Sequence, residues 1–536
     1  MHDKTEPPPG VEESTDDLTR LHAMGYAQEL ARKMGGFSNF ALSFSIICIL
    51  AGGVTSFHLG LCSVGGASIG LGWPLVGLFA LVVAATMGQL ASTFPTAGGV
   101  YHWAAILGGR DWGWATAWFN LVGLITVLAA INVGTFRFAV GALFPGALGP
   151  DLDLAAQALG VVLITASQAA INHLGIGTTA RLTDFSGYWI LVVAAALTVC
   201  LLAFAPSLDP ARLVTFENFS GTPGGHVWPA PNGLALLFAQ GLLLPAYTIT
   251  GFDASAHAAE ETIGAAKSVP RGIVRSVLVS GVAGWILLGA LVLAAPNLPK
   301  AAAQGEGAFL SIIHGVLPWP LGVMLVAAIV LAQYLCGLAT VTSASRMAFA
   351  FARDGGLPFS MAVRWVCPRR RSPPVAIWGV AAASVLFTFH TPVYATITAV
   401  CTIFLYVSYV LPTALGAWAY GRTWTAMGPW NLGRWYRPLA LLSIAGCAGL
   451  IVVGMQPPNQ RSTWIVGGFA LVLAAAWFGV ARHRFPGPPH MALIGQSCSE
   501  SRPITKASVS DRNSPVSRSD QGLTNSSIIV GEEGLR

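Results

Sequence analysis

The stretch Leu242–Thr262 reads LLLPAYTITGFDASAHAAEET. It opens as an apolar run and then brings Tyr247, Thr248, Thr250, Gly251 and Asp253 close together. A second apolar stretch, Asn39–Cys62, carries Gly52-Gly53 followed by Val54, Thr55 and Ser56. Glycine lets a backbone leave helical geometry. A helix resuming after Gly53 offers free N–H groups and the positive end of a dipole, which suit a carboxylate. A helix ending near Ile249 offers free carbonyls, which suit an ammonium. Facing each other, two such ends suit a zwitterion such as an amino acid, and Tyr247 is placed to cover it. Asp253 is an ionisable group in an apolar run, a functional position by default. Its expected role is gating or proton-linked coupling. Glu260 and Glu261 are expected at the membrane surface, as a charged face or as gate partners for Arg271 or Arg275. Glycines can also serve close helix packing alone. The matching break in the other stretch, together with Asp253, favours a site.

These residues need elements to position them. The chain has 536 residues, 54% hydrophobic and only 10% charged, with a mean hydropathy of +0.64. A soluble domain carries about 25% charged residues. Apolar runs recur at about 20 residues, the length that crosses a bilayer. The expected fold is therefore all-α and integral to the membrane, with about twelve transmembrane helices. Span one covers 39–62 and span six covers 233–256. Residues 1–38 form an N-terminal segment, unstructured to Asp17 and then an amphipathic surface helix from Leu18 to Gly36. A disordered tail covers 482–536.

Net charge is +6. Loops on one side hold only Arg212, Lys300 and Arg461, with Arg137 near that side; the other side holds the rest, including Arg364, Arg369, Arg370 and Arg371. The positive-inside rule then puts both termini in the cytoplasm. No cleavable signal peptide is read in the polar start, and short loops favour a bacterial inner membrane over a eukaryotic one. The eight cysteines show no metal or disulfide spacing. No cofactor and no metal site is expected, and no nucleic-acid partner; the lipid bilayer and a small-molecule substrate are.

Spans one and six are five apart. An odd number of spans per unit inverts the second unit. This is the arithmetic of a five-plus-five inverted repeat, each half led by a discontinuous helix. The halves would cover 39–206 and 207–420, with two more spans in 421–481.

The motifs GGFSNFALSFSIICILAGG (Gly35–Gly53), STFPTAGGVYHWAAILGG (Ser92–Gly109), GWATAWFNL (Gly113–Leu121), TGFDASAHAAEET (Thr250–Thr262), SVPRGI (Ser268–Ile273) and SRMAFAFARDGGLP (Ser345–Pro358) resemble the amino acid–polyamine–organocation superfamily. The branch they look like is the amino acid/choline transporters. The resemblance covers roughly residues 20 to 480. It implies a permease working by alternating access on amino acids or related amines. It maps substrate contacts to Gly52, Gly53, Val54, Thr55, Tyr247, Thr248, Thr250 and Gly251, with Asn120 and Thr340 near the pocket, and gating to Asp253. Pro95–Gly99 would begin a loop that helps form the inner gate. Gln89 stands where relatives often have an acid, Leu124 where many have glutamine, and Asn132 where an aspartate occurs. Span five has no lysine to stand in for sodium, so proton coupling, sodium coupling and exchange all stay open.

Rival classes have weaker signals. Gly66-Ala67-Ser68-Ile69-Gly70 matches G-x-S-x-G, but in a loop between spans and without the strand-to-helix turn that activates the serine. No HExxH or Walker A sequence occurs, so neither an enzyme nor an ATP-driven pump is expected. A channel would need a filter or a charged ring built by symmetry. The alternative function is an amino acid sensor on the same fold, signalling through its tail.

Overall fold

A chain crossing lipid must satisfy its backbone internally, and helices do so within one segment. A computed structural model describes residues 11–144, 154–221, 231–390, 394–457 and 459–489. Among these residues the fold is helical, with two isolated bridges and no strand. The first half runs α1 (Val11–Ala23), α2 (Gly36–Ile46), a π-helical turn (Ile49–Gly53), α3 (Phe57–Val64), α4 (Trp73–Thr93), α5 (Val100–Gly108), α6 (Arg110–Leu143), α7 (Leu154–His173) and α8 (Ile176–Phe204). There follow α9 (Leu234–Gly241), α10 (Leu243–Thr248), α11 (Ala254–His257), α12 (Ala265–Ala294), α13 (Leu298–Ala302), α14 (Ala308–Val316) and α15 (Trp319–Arg353). The chain closes with α16 (Ser360–Val363), α17 (Pro374–His390), α18 (Tyr394–Ala419), α19 (Tyr436–Gly454) and α20 (Gln460–Ala476).

Ten helical stretches among the described residues are long and apolar enough to cross a membrane. Two shorter apolar helices, Leu234–Thr248 and Pro374–Phe389, occupy the places of expected spans six and nine. The core lies where α6 packs along α18 and α15, and where α4 packs along α12. The α2 helix and the π turn run through this core, and all of Ile47–Gly53 is buried.

Both expected breaks are present, and each is served by another span. In the first, α2 stops at Ile46 and Cys48 turns extended (φ −65°, ψ 104°) before the π turn begins. Gln333 Nε2 on α15 donates to the Leu50 carbonyl at 3.0 Å. One turn on, Cys336 Sγ lies 3.5 Å from the Ile46 carbonyl. In the second break, Gly251 adopts φ +84°, a conformation that suits glycine alone without strain. Its N–H donates to Tyr409 Oη on α18 at 3.1 Å. Ser43 on α2 donates to the Phe252 carbonyl at 2.8 Å and accepts from the Ser255 N–H at 2.9 Å.

Three sequence expectations change here. The N-terminal segment is helical at Val11–Ala23, and the residues after it are not a surface helix. Leu21, Met24, Leu30 and Met34 are buried. The strap they form runs beneath the bundle and pairs with the chain after α11: Lys33 and Met34 N–H donate to Glu261 O at 2.9 and 2.8 Å, and Ile263 N–H donates to Met34 O at 2.9 Å. Pairing with a free backbone edge displaces the helix that the apolar spacing suggested. The G-x-S-x-G stretch lies in a buried helical turn, not a loop. A Cβ on Gly70 would fall 1.9 Å from Leu213 O, so its glycines permit backbone contact. Residues 1–10, and the expected tail from residue 490 on, lie outside the described residues.

Gln333 supplies a bond that nothing apolar can replace. Gln333→Leu leaves a buried carbonyl unpaired and is expected to lower stability by about 1–3 kcal/mol. Thermal unfolding in detergent checks this, and an unchanged midpoint would contradict it.

Candidate functional site

The two breaks meet. A Cβ on Gly52 would stand 3.0 Å from both Cα and Oγ1 of Thr248. The π turn and the end of α10 therefore touch through bare backbone. A Cβ on Gly53 would meet only ordinary contacts, with Leu288 at 3.5 Å, Trp73 at 3.6 Å and Thr248 Cγ2 at 3.9 Å. The N–H of Gly52 is spent on the Cys48 carbonyl at 2.9 Å, and that of Val54 goes to Ala51 O. The leading N–H groups of the π turn are thus those of Ile49 and Leu50, one turn before the glycines. On the other side, α10 ends at Thr248. The Pro245 carbonyl takes Ile249 N–H at 2.8 Å and the Tyr247 carbonyl takes Thr250 Oγ1 at 2.7 Å, leaving the Thr248 carbonyl at the break.

On the side away from the N-terminal strap, hydroxyls gather. Thr55 Oγ1 donates to Ala51 O at 2.7 Å and lies 2.5 Å from Tyr394 Oη. Ser56 Oγ is 3.3 Å from the same phenol. Tyr247 is buried and faces Tyr394. Beyond them a small cleft of about 30 Å3 is lined by Val54, Thr55, Arg137, Glu306 and Tyr394, among others. Arg137 closes on Glu306 at 2.7 Å, and both are partly exposed.

Asp253 is fully buried and fully engaged. Its Oδ1 accepts from Tyr409 Oη at 2.7 Å. Its Oδ2 lies 2.8 Å from Asn120 Nδ2 and 3.1 Å from His257 Nε2. Asn120 also donates to Ser408 at 3.1 Å. Asn120 therefore serves the acid at the second break. Thr340 donates to the Cys336 carbonyl of its own helix at 2.9 Å. That leaves Gly52, Val54, Thr55, Tyr247, Thr248, Thr250 and Gly251 together around the breaks, with Gly53 at their edge.

The side that holds the strap is sealed by buried charge. Glu260 pairs with Arg353 at 2.8 Å and Glu261 with Arg346 at 2.9 Å. Arg271 and Arg275 are not the partners; α15 supplies them from its last two turns. Both acids are fully buried in the protein and do not form an exposed charged face. Asp354 takes hydrogen bonds from Tyr26 at 2.9 Å and Tyr101 at 2.8 Å, and His102 Nε2 sits 3.0 Å away. The Arg353 guanidinium lies 3.9 Å over the Tyr26 ring. The loop 95–99 is tied in as well: Ala97 N–H donates to Glu260 Oε1 at 3.1 Å. Burial alone would raise the Glu260 carboxyl, but Arg353 and the Ala97 N–H outweigh it and hold the group below its usual range.

Several of these residues escaped sequence reasoning. His257 follows Asp253 by one helical turn, a readable i,i+4 relation. Arg346 and Arg353 are charges inside an apolar run, the same signal that marked Asp253. Tyr409, Ser43 and Tyr394 gave no signal beyond being polar in a span.

The comparisons with known proteins agree with this architecture. Residues 34–477 match the amino acid permease family. The amino-acid permease BAT1 of Arabidopsis thaliana is 30% identical over 504 residues, covering 88% of this chain and 95% of that protein. The BAT1 homolog of Oryza sativa subsp. japonica is 31% identical with the same coverage. Amino-acid permease 2 of Neurospora crassa is 26% identical, covering 87% and 88%. The chain belongs to the amino acid permease family. It is an integral multi-pass membrane protein and not an enzyme. These relatives come from plants and a fungus, and they lend no support to a bacterial inner membrane.

Glu260 generates a prediction with a sign. A carboxyl held low stabilises the fold above its ordinary value and loses that contribution as pH falls through the folded value. Glu260→Gln strands Arg353 and is expected to cost about 3–5 kcal/mol at neutral pH. The variant should also lose part of the acid limb of the wild-type stability curve. Unfolding midpoints of the two proteins across pH check this; parallel curves would contradict it.

Proposed function

We propose that the protein is a secondary transporter that moves amino acids or related amines across a membrane by alternating access. The observation that carries this is the meeting of two broken helices through Gly52 and Thr248. A substrate held there has donors on one side and an acceptor on the other. Its carboxylate takes the leading N–H groups of the π turn, favoured by the helix dipole. Its ammonium takes the Thr248 carbonyl and the hydroxyls of Thr248 and Thr250. Val54, Thr55 and Tyr247 border the route from the Arg137–Glu306 cleft, and Tyr247 covers the ligand. Gly53 and Thr340 shape the walls, and Asn120 acts through Asp253. The names of the relatives, amino-acid permeases all, support the substrate class.

Twelve spans with both termini in the cytoplasm fit this function. The strap and the buried ion pairs then form the cytoplasmic gate, and the Arg137–Glu306 cleft faces outward. The halves 39–206 and 207–420 act as inverted repeats. In support, α4 and α12, the first full helices after each break, pack on each other. Residues 421–481 add two peripheral spans. Asp253 couples occupancy to closure, because it joins the second break to α6 and α18. A ligand shifts such an equilibrium only through contacts that differ between states.

Uptake of labelled amino acids, choline and γ-aminobutyrate into proteoliposomes tests the reading. Saturable uptake of an amino acid or amine supports it. Flux that does not saturate would indicate a channel, and binding without transport a sensor. Asp253→Asn is expected to slow uptake more than it weakens equilibrium binding; equal rates would remove Asp253 from the mechanism. Gly52→Val is expected to abolish binding in protein that still folds, and Gly53→Val to weaken it less. The reverse order would contradict the assigned approach.

A further inference from the structure

His257 sits between two acceptors. Its Nδ1 lies 3.2 Å from the carbonyl of Ala97, and its Nε2 lies 3.1 Å from Asp253 Oδ2. A carbonyl can only accept, so Nδ1 carries a hydrogen. The other contact also needs one, since an imidazole lone pair against a carboxylate oxygen has nothing to share. An ionised aspartate beside a neutral histidine holds a single hydrogen for these two contacts. The geometry requires two. No neighbour supplies the missing one. Tyr409 already donates its hydroxyl hydrogen to Asp253 Oδ1, because its oxygen accepts from Gly251 N–H. Asn120 directs its two amide hydrogens to Oδ2 and to Ser408.

The surroundings isolate this pair. The titratable and charged groups around it are Tyr409 on α18, Glu260 and Glu261 after α11, His102 on α5, and Arg346 and Arg353 on α15. Glu260 and Glu261 are neutralised by Arg353 and Arg346. His102 has its own partners, Thr96 Oγ1 at 2.6 Å and Asp354, and a neutral ring satisfies both because the threonine hydroxyl can donate. His257 has no such option. It is fully buried, and Gly99 beside it leaves no spare room, since a Cβ there would lie 3.2 Å from its ring.

We propose that Asp253 and His257 together bind one exchangeable proton, and that this proton latches the gate loop 95–99 to the second helix break through the Ala97 carbonyl. This rests on the transport reading and names its coupling ion. The proton enters as H+ and leaves as H+, shared between Nε2 and Oδ2, and no other bond changes. Ala97 is held by both faces of its peptide: N–H to Glu260 and C=O to His257. With the proton present, the pair is neutral and the latch is made. When it leaves, the one remaining hydrogen cannot serve both contacts, and either the latch or the link to Asp253 is lost. Separation of the loop then exposes Nδ1 to water on that side.

Two measurements decide this. The first is amide hydrogen exchange of residues 95–99 in purified protein, wild type against His257→Gln, corrected for intrinsic exchange. About tenfold faster exchange in the variant is expected, with wild-type protection falling as pH rises. Equal protection in both proteins would overturn the latch. The second uses proteoliposomes with the membrane potential clamped at zero, and whichever of labelled alanine, leucine, glutamate, arginine or γ-aminobutyrate the wild type exchanges fastest. A gradient of one pH unit concentrates a substrate carried with one proton about tenfold. His257→Gln is expected to keep exchange and to accumulate nothing beyond equilibration. Accumulation equal to wild type would overturn the proton site. Should His257→Gln fail to fold, Asp253→Asn is expected to lose the same accumulation. Wild-type protein that neither takes up nor exchanges any of these probes or choline would instead contradict the transport reading, while the hydrogen-exchange comparison would still decide the latch.

Discussion

A backbone group freed inside a membrane must find a partner in the protein. Two helices of this chain are interrupted at depth, and the arrangement around them follows from that demand. The first break is served by Gln333 and Cys336 of α15. The second is served by Ser43 of α2 and Tyr409 of α18. An unsatisfied buried polar group costs several kcal/mol in such surroundings. The breaks thus fix which helices must be neighbours. In the proposed function, the N–H groups of Ile49 and Leu50 and the Thr248 carbonyl are the ones left for the substrate.

The same demand explains why charge lies deep in an apolar molecule. Glu260 and Glu261 could not sit buried without Arg353 and Arg346, and α15 carries those arginines on its inner face. Such pairs add little net stability but lose much when one member goes. Arg137 and Glu306 form a partly exposed pair, and exposure to water leaves such a pair worth less.

Much of the architecture was legible in the sequence. Apolar run length located the ten long membrane helices among the described residues, and Gly251 with its polar neighbours located the second break to within a residue. Gly52-Gly53 pointed to the first break one turn late. There the chain unwinds at Ile47 and Cys48, which carry no breaking signal of their own, because partners on α15 pay for it. The expected surface helix is present only up to Ala23; from Met24 the strap is not helical, because its apolar spacing also fits a chain pinned beneath the bundle. Partners of buried charges were the least readable part. Glu260 and Arg353 are far apart in sequence, and only the packing of α11 against α15 brings them together. Tyr409 shows the same limit: a tyrosine in a span looks like filler until the backbone it serves is seen.

The proposed substrate site lies where the two breaks touch. The most direct test is a structure of the protein with a transported amino acid bound. Ligand density is expected between the π turn and Thr248, with the carboxylate on the N–H groups of Ile49 and Leu50 and the ammonium on the Thr248 carbonyl. Density confined to the Arg137–Glu306 cleft, with Gly52 and Thr248 still in contact, would contradict it.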